Sequence, residues 1–187
     1  DNHNLDLEIL TYLQNHGYGI DNYSNVADEG GAIFYDGYNG IISDSIFHKN
    51  CAHERGGAIS LHANSTTVTN SRFDNSILEV EEGLNRGFGG TAIFWCGNDG
   101  KLPDSNVTNH NSNYTIVLWS GDSEFTDMNM EIIDGFEYTI GTNGLLDNCL
   151  FLNNNVSESH IVEWAGYNGT ILNTLFHNNT AIDGATV

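Results

Sequence analysis

Short apolar segments alternate with polar, turn-forming segments along most of the chain, and the same segments recur at regular intervals. The tetrapeptide GGAI occupies residues 30–33 and 56–59, and GGTAI at residues 89–93 repeats it with one insertion. A second apolar segment keeps the same interval, because Phe47 and Phe73 are also 26 residues apart. Two independent markers with one period indicate a repeat architecture.

The repeat predicts a column of mostly β-branched residues, one from each turn of a wound chain. The expected members are Ile33, Ile59, Ile93, Val117, Thr139, Val162 and Thr186. Most units have 22 to 26 residues and two or more short apolar strands. Such units are too short for propeller blades and lack the apolar stripe of helical repeats. Leucine-rich repeats would need leucine at positions that Ile, Val, Phe and Trp occupy here.

The predicted fold is therefore all-β, a right-handed parallel β-helix of about seven coils over residues 20–187. Each strand of such a coil pairs with the equivalent strand one turn later, about 4.8 Å away. Residues 1–19 are predicted to form an N-terminal cap or an irregular first coil, because their pattern suits both a strand and a helix. A longer step between the second and third units predicts a loop at residues 77–88, and residues 97–104 form a second predicted loop.

Glycine and asparagine are placed to form the turns between strands. Paired glycines before a strand allow the φ values that a tight corner requires. Asparagines that follow the Phe positions suit inward turns, where side-chain amides can hydrogen-bond from one coil to the next. These asparagines are Asn50, Asn75, Asn154 and Asn179.

The balance of charge limits the partners of the protein. Five Lys and Arg residues against 25 Asp and Glu residues give a formal net charge of −20. This charge repels nucleic-acid phosphates, anionic membrane surfaces and polyuronate substrates. No stretch has the length of a membrane span, so we expect no membrane insertion by this segment. We also expect any export signal or anchor to have been removed from a larger protein.

Three widely spaced cysteines, Cys51, Cys96 and Cys149, match neither a zinc motif nor a disulfide framework. Buried free thiols are the expected state, with one disulfide as the alternative, because residues distant in sequence stack closely in a coil. The histidines show no ligand spacing, so we predict no transition metal and no cofactor. Calcium is the alternative, since carboxylates such as Asp36 and Asp44 are hard oxygen ligands.

Aromatic residues recur two positions after the β-branched column and are the clearest feature for ligand binding. They are Tyr35, Trp95, Trp119 and Trp164. Stacked rings suit the faces of sugars if they point outward. Residues two apart in a strand share a face, however, so we favour a place in the core for this column. In that case the neighbouring column, which contains Phe34 and Phe94, becomes an exposed apolar contact surface.

Seven Asn-x-Ser/Thr sequons predict glycosylation at the surface. They begin at Asn22, Asn64, Asn106, Asn113, Asn155, Asn168 and Asn178. Because the chain is rich in Asn, Ser and Thr, several sequons are expected by chance alone.

The combination of Gly-Gly-Ala-Ile with Phe-x-x-Asn resembles the paired signature of the repeats in chlamydial polymorphic outer-membrane proteins. Phe-x-x-Asn occurs at residues 47–50, 151–154 and 176–179, whereas Ser76 replaces the asparagine in the unit of Phe73. In its acidity and its Asn and Thr content, most of the chain resembles still more the adhesin-like surface proteins of methanogenic archaea. The resemblance implies a pectate-lyase-like β-helix, export, and attachment to other cells, and it supplies no catalytic residues.

Three functions fit this architecture. We expect an extracellular, non-enzymatic adhesion module at the cell surface, which binds a protein or glycan of another cell through side loops or an exposed aromatic face. The first alternative is a polysaccharide lyase or glycoside hydrolase, because many β-helices are such enzymes. The Asn-Thr-Asp, Asp-Asp, Gly-His-Asp and Arg-Ile-Lys set of galacturonan hydrolases is missing, and the chain has only five Lys and Arg residues from which a lyase base could come. The second alternative is a passive spacer.

Overall fold

Every regular element that the structure describes is a β-strand. This computed structural model describes residues 25–79, 89–119, 142–164 and 167–182. Strands from successive turns pair in parallel and stack into three sheets of five strands, one of three and one of two. The predicted all-β parallel β-helix is thereby confirmed. The predicted cap at residues 1–19 lies outside the described residues.

Each full coil contributes one strand to each of three five-stranded sheets. Sheet 1 contains β2 (Ile33–Tyr35), β6 (Ile59–Leu61), β10 (Ile93–Trp95), β14 (Val117–Trp119) and β18 (Val162–Trp164). Sheet 2 contains β3 (Ile41–Ser43), β7 (Thr67–Thr69), β11 (Lys101–Pro103), β15 (Leu145–Asp147) and β19 (Thr170–Leu172). Sheet 3 contains β4 (Ile46–His48), β8 (Arg72–Asp74), β12 (Asn106–Thr108), β16 (Leu150–Leu152) and β20 (Leu175–His177).

The remaining strands form two smaller sheets. The first contains β1 (Asn25–Glu29), β5 (Asn50–Arg55) and β9 (Ile77–Leu78). The second contains β13 (Asn111–Ser112) and β17 (Asn155–Val156). Among the described residues there is no helix with the length and apolarity that spanning a bilayer would need.

The register of sheet 1 confirms most of the predicted β-branched column and corrects one member. The confirmed pairs are Ile33 with Ile59, Ile59 with Ile93, and Ile93 with Val117. Val117 then pairs directly with Val162, so the prediction that Thr139 forms a coil between them is wrong. A coil is closed by strand pairing and not by a fixed residue count, and Thr139 itself lies outside the described residues. Thr186 lies outside the described residues.

Like side chains stack from coil to coil in the interior. The rings of Phe47 and Phe73 are stacked with centroids 4.7 Å apart, and so are those of Phe151 and Phe176. The β-branched column of sheet 1 and an aliphatic column of sheet 2, which includes Leu102, are buried in the same core. The inward apolar side chains of the described coils therefore form one continuous core.

Three corners of each coil have a left-handed backbone conformation. Fifteen non-glycine residues have φ between 47° and 60°, and within a coil they recur every five residues. All except Lys49 and Ser65 are Asn or Asp, which tolerate this conformation best after glycine. Their side chains also bond between coils, as Asn148 Nδ2 does to Asp104 Oδ1 at 2.8 Å. We call these rows of corner side chains the corner ladders.

The inward asparagines are confirmed at three of the four predicted positions. Asn50 is buried and accepts a hydrogen bond from Asn25 Nδ2 at 2.7 Å, and buried Asn154 donates to Asn179 Oδ1 at 2.9 Å. Asn75 instead lies at an outer corner with φ of 52°. Ser76, the residue after Asn75, takes the inward position in this coil. The pairing of Cys51 with Ile77 puts Ser76 in register with Asn50.

The prediction of two loops is wrong for the residues that the structure describes, because both segments contain paired strands. Residues 97–104 form a corner followed by the paired strand β11. Ile77 and Leu78 form strand β9, so the first predicted loop does not begin at residue 77. Residues 80–88 lie outside the described residues. Ile77, Leu78 and Leu102 belong to paired strands, which the polar and glycine-rich sequence around them did not indicate.

Candidate functional site

The aromatic column lies in the core, as we favoured, and does not form a platform for ligands. Trp95 and Trp119 are fully buried, because they share the inward face of the β-branched column. The ring centroids are 4.6 Å apart between Trp95 and Trp119, and again between Trp119 and Trp164. Tyr35 and Trp164, on the first and last described coils, are partly buried and pack against the same core.

Glycine makes room for these rings at the next corner of the coil. A Cβ atom on Gly100 would lie 2.5 Å from Trp95 Nε1, and one on Gly144 would lie 2.3 Å from Trp164 Cζ2. Real Cβ atoms do not approach so closely, so the glycines are required by packing. The ring stack and the glycine corner form one structural unit.

The neighbouring outward column is not a continuous apolar surface. Phe34 is 53% exposed, but Phe94 is fully buried and Leu118 is only 7% exposed. Phe94 packs with Leu118 and Cys96 in a small apolar cluster, and the Arg55 guanidinium lies 5.2 Å above its ring. The prediction of an exposed aromatic stripe is therefore wrong, because polar and apolar neighbours cover it beyond the first described coils.

Polar side chains meet instead on the outside of sheet 1, in what we call the His62 cluster. It consists of Glu29, Arg55, Ser60, His62 and Cys96. His62 Nε2 lies 3.0 Å from Glu29 Oε2 and 3.1 Å from Ser60 Oγ. Arg55 Nη2 lies 3.8 Å from Glu29 Oε1. Cys96 follows Trp95 as His62 follows Leu61, so the two residues occupy equivalent positions on adjacent coils.

The cluster favours a charged His62. Burial disfavours the imidazolium, but hydrogen bonds to Cys96 and Glu29 and the charges of both partners raise the pKa of His62 to about 10. The hydrogen bond from His62 lowers the pKa of Glu29 against the opposing effect of burial, and the charge of Arg55 adds to the lowering. The arrangement therefore holds a positive charge on His62 beside the carboxylate of Glu29.

No motif marks this cluster in the sequence, because its members come from three coils. His62 and Cys96 each follow directly after a strand of sheet 1, and the preceding residues Leu61 and Trp95 are paired. That register could have revealed the contact. Glu29 is brought to the cluster by its strand pairing with Arg55 on the adjacent three-stranded sheet.

A second feature is a groove along the corner between sheets 2 and 3, with a volume of about 730 Å³. We call it the corner groove. Its lining includes Asn70, Asp104, Asn106, Asn148, Leu150, Asn173 and Leu175. The amides belong to corner ladders or to strand β12, and most are exposed. Each ladder bond uses one N–H of an amide that has two donors and an acceptor, so polar groups remain for a ligand.

The sequons lie mostly at the surface. Asn106, Asn113, Asn155, Asn168 and Asn178 are exposed, Asn64 is partly buried, and Asn22 lies outside the described residues. Asn64 Oδ1 accepts the backbone N–H of Asn98 at 2.7 Å, so this side chain also holds two coils together. Glycosylation at these positions stays a prediction.

The three cysteines are free. The Cys149 thiol donates to the carbonyl of Leu102 at 2.9 Å, at the position that serine occupies in earlier coils. Burial raises the pKa of the Cys51 and Cys149 thiols to about 11. In the described part of the chain, no group of three or more His, Cys, Asp or Glu side chains is arranged to hold a metal ion. Asp44, considered above for calcium, accepts from Asn70 Nδ2 in a corner ladder.

Comparisons with known proteins add no further constraint. No protein-family model, no curated protein and no solved structure matched the chain. The chemistry of the corner groove is therefore the basis of the functional proposal.

Proposed function

We propose that the protein is an adhesion module of a cell surface, and that its corner groove binds a neutral glycan on another cell. The observation that carries the proposal is the row of exposed amides in this groove, which repeats from coil to coil beside two leucines. The resemblance of the sequence to adhesin-like surface proteins is a second argument, because it implies export and attachment to other cells.

The chemistry of the groove suits sugar hydroxyls. An amide side chain can donate and accept, as a hydroxyl group does, so Asn106 and Asn148 match such a ligand without a charge. Leu150 and Leu175 offer apolar surface to the C–H face of a sugar ring, and Leu175 is 58% exposed. The corner ladder holds the Asn148 amide in place before binding through its bond to Asp104, which lowers the entropic cost of association.

Charge favours a neutral ligand over an acidic one. The chain has a formal net charge of −20, and Asp104 lies in the groove itself. An anionic polysaccharide would be repelled at this surface. A neutral glycan avoids the repulsion and still meets donors and acceptors.

An enzymatic role for the groove has less support. Glycoside hydrolysis usually needs two carboxylates that flank the scissile bond. Among the described residues that line the groove, Asp104 carries the only carboxylate. We therefore propose binding rather than turnover at this site.

The test is a glycan array with neutral and uronate-containing glycans, followed by calorimetry on any neutral glycan that binds. Asn106→Ala and Asn148→Ala in one chain should weaken binding about tenfold or more, because each lost hydrogen bond contributes about 1 kcal/mol. Asn143→Ala is the matched control, since its amide forms a corner ladder with Asp99 outside the groove. Absence of binding to every glycan, or binding that the groove variants leave unchanged, would refute the proposal.

A further inference from the structure

All three Asn-Gly dipeptides of the chain lie in one corner column of the β-helix. They are Asn39-Gly40, Asn143-Gly144 and Asn168-Gly169. We propose that Asn39 is a site of spontaneous modification, at which the backbone nitrogen of Gly40 attacks the side-chain amide and water completes the conversion to aspartate or isoaspartate. The corner ladder protects Asn143 from the same reaction. The inference is independent of the corner groove, because none of these residues lines it.

Backbone hydrogen bonds between coils define this column. The N–H of Asn39 donates to the carbonyl of Asn64 at 3.1 Å, and the N–H of Asn143 donates to the carbonyl of Tyr167 at 2.8 Å. Each of these carbonyls belongs to the residue just before the equivalent corner of the next coil. From coil to coil, the column therefore contains Asn39, Ser65, Asp99, Asn143 and Asn168.

Two separate requirements of the fold produce the dipeptide. Asn39 has φ of 55°, a left-handed conformation that asparagine tolerates better than most residues. Gly40 is required by packing, because a Cβ atom on it would lie 2.4 Å from Cε1 of the Tyr35 ring. Gly144 makes room for the Trp164 ring in the same way. Because glycine has no side chain beside its backbone nitrogen, this nitrogen is the least hindered for attack on the preceding asparagine.

The proposed reaction balances without an oxidant or a reductant. Water or hydroxide removes the proton from the backbone nitrogen of Gly40, and this nitrogen attacks Cγ of Asn39. A new N–C bond forms, the bond between Cγ and Nδ2 breaks, and Nδ2 takes up a proton and leaves as ammonia. Water then opens the cyclic imide at either carbonyl carbon, which gives aspartate or isoaspartate. Each event adds one negative charge to the formal net charge of −20.

The side chain of Asn39 is free to approach its backbone. It is exposed, and it forms no hydrogen bond among the residues that the structure describes. Ser65, at the next position of the column, has no amide or carboxylate that could extend the ladder to Asn39. Gly40 is partly exposed, so the dipeptide is open to water.

The side chain of Asn143 is held on both sides. Its Nδ2 donates to Asp99 Oδ1 at 2.9 Å, and its Oδ1 accepts from Asn168 Nδ2 at 3.2 Å. The following glycine, Gly144, is also buried. Cγ of Asn143 can turn toward the backbone nitrogen only after both hydrogen bonds break, which raises the barrier. Asn168 has only one of these bonds in the described part of the column, so its rate should lie between those of Asn39 and Asn143.

The test incubates the folded chain at mildly alkaline pH and follows deamidation by peptide mapping with mass spectrometry, together with detection of isoaspartate. Asn39 should react at least about tenfold faster than Asn143, because two hydrogen bonds oppose the reaction of Asn143. The same incubation in denaturant is the control, and it should give both residues similar rates. Equal rates in the folded chain, or the same difference in denaturant, would overturn the proposal.

Asn75 tests the part that glycine plays. It has the same left-handed conformation, with φ of 52°, and its side chain forms no hydrogen bond within the described ranges, but Ser76 follows it. Asn75 should therefore react several-fold more slowly than Asn39. A rate as high as that of Asn39 would contradict the role of Gly40.

Two variants test the protection by the ladder. Asp99→Ala removes the acceptor of Asn143 Nδ2 and should speed the deamidation of Asn143 about fivefold. Asp147→Ala removes the acceptor of Asn173 at a different corner, so it is the matched control and should leave the rate of Asn143 unchanged. An unchanged rate in folded Asp99→Ala would refute the protection. If that variant does not fold, the comparison of folded and denatured native chain decides the matter.

Discussion

Thr66 replaces glycine in the same coil in which Leu61 replaces an aromatic ring. The backbone ladder runs from Gly40 through Thr66 to Gly100, so Thr66 stands in the glycine column. Leu61 pairs with both Tyr35 and Trp95, so it stands in the ring column. Both substituted side chains are fully buried. Leu61 is smaller than the rings in its column, and Thr66 is larger than the glycines in its column. The two differences compensate, so the core of this coil remains filled.

The first prediction exchanges this pair. Leu61→Trp alone should lower the free energy of unfolding by about 1–3 kcal/mol, because the indole would meet Thr66 in a filled core. Adding Thr66→Gly should recover most of that loss, because neighbouring coils combine a large ring with glycine at these two positions, as in Trp95 with Gly100. Urea unfolding of the two single variants and the double variant measures the coupling. Strictly additive effects would show that the two columns are independent.

The second prediction concerns pH. Burial lowers the pKa of His110 to about 4 against an ordinary value of 6.5, and the hydrogen bond to Asn154 only partly offsets it. Between these values the unfolded chain binds a proton that the folded chain does not. Stability should therefore fall as pH decreases from about 6.5 to 4, by about 1.4 kcal/mol per pH unit from this residue.

His110→Asn should remove that contribution, because asparagine does not titrate and belongs to the same inward column. Unfolding free energies from urea titrations at several pH values between 4 and 8 would show a flatter profile for the variant. His177→Asn, on the exposed side of sheet 3, serves as the control and should keep the native profile. An unaltered slope in His110→Asn would contradict the assignment.

The third prediction compares two adjacent asparagines. Asn154 is buried, accepts from the backbone N–H of His110, and donates to the carbonyl of Val107 and to Asn179. Asn154→Ala should cost about 2–4 kcal/mol, because it leaves buried polar groups without partners. Asn155→Ala, which removes an exposed amide on strand β17, should cost less than about 0.5 kcal/mol. Thermal or urea unfolding distinguishes the two, and similar losses would argue against the inward column as a stabilising element.

The fourth prediction uses the intrinsic fluorescence of the chain. Its three tryptophans, Trp95, Trp119 and Trp164, form a single stack. Because only Trp164 is partly exposed, acrylamide should quench a minor fraction of the emission, and Trp164→Phe should abolish most of that fraction. Efficient quenching that persists in the variant would mean that the stack is open to solvent.

The fold could be predicted from the sequence because a wound sheet places like residues above one another. The spacing of Ile33 and Ile59, confirmed as a direct pair, was sufficient to identify the architecture. The error at Thr139 arose because an apolar triplet at the expected interval is typical of a strand, whereas pairing alone decides which segments form a coil. The five-residue spacing of Asn143, Asn148 and Asn153 marks the left-handed corners and was visible in the sequence.

The candidate sites could be predicted only in part. Strand periodicity shows that Ile93 and Trp95 share a face, but it does not show whether that face is the interior. The glycine at the following corner, Gly100, would have answered that question, because it makes room for the Trp95 ring. The His62 cluster depends on contacts between coils whose lengths differ. A sequence without the register cannot place Glu29 beside His62, because no fixed spacing joins them.

Trp119 and Thr142 lie on the same coil although 22 residues separate them in the sequence. The backbone N–H of Thr142 still reaches Asn98 Oδ1 at 2.9 Å, and Leu145 still pairs with Lys101. The alignment of one turn with the next is therefore fixed by hydrogen bonds to the adjacent coils and not by the number of residues within a turn. For protein engineering, a redesigned connection between these two residues would have to preserve the pairing of the flanking strands β14 and β15 rather than the number of residues between them.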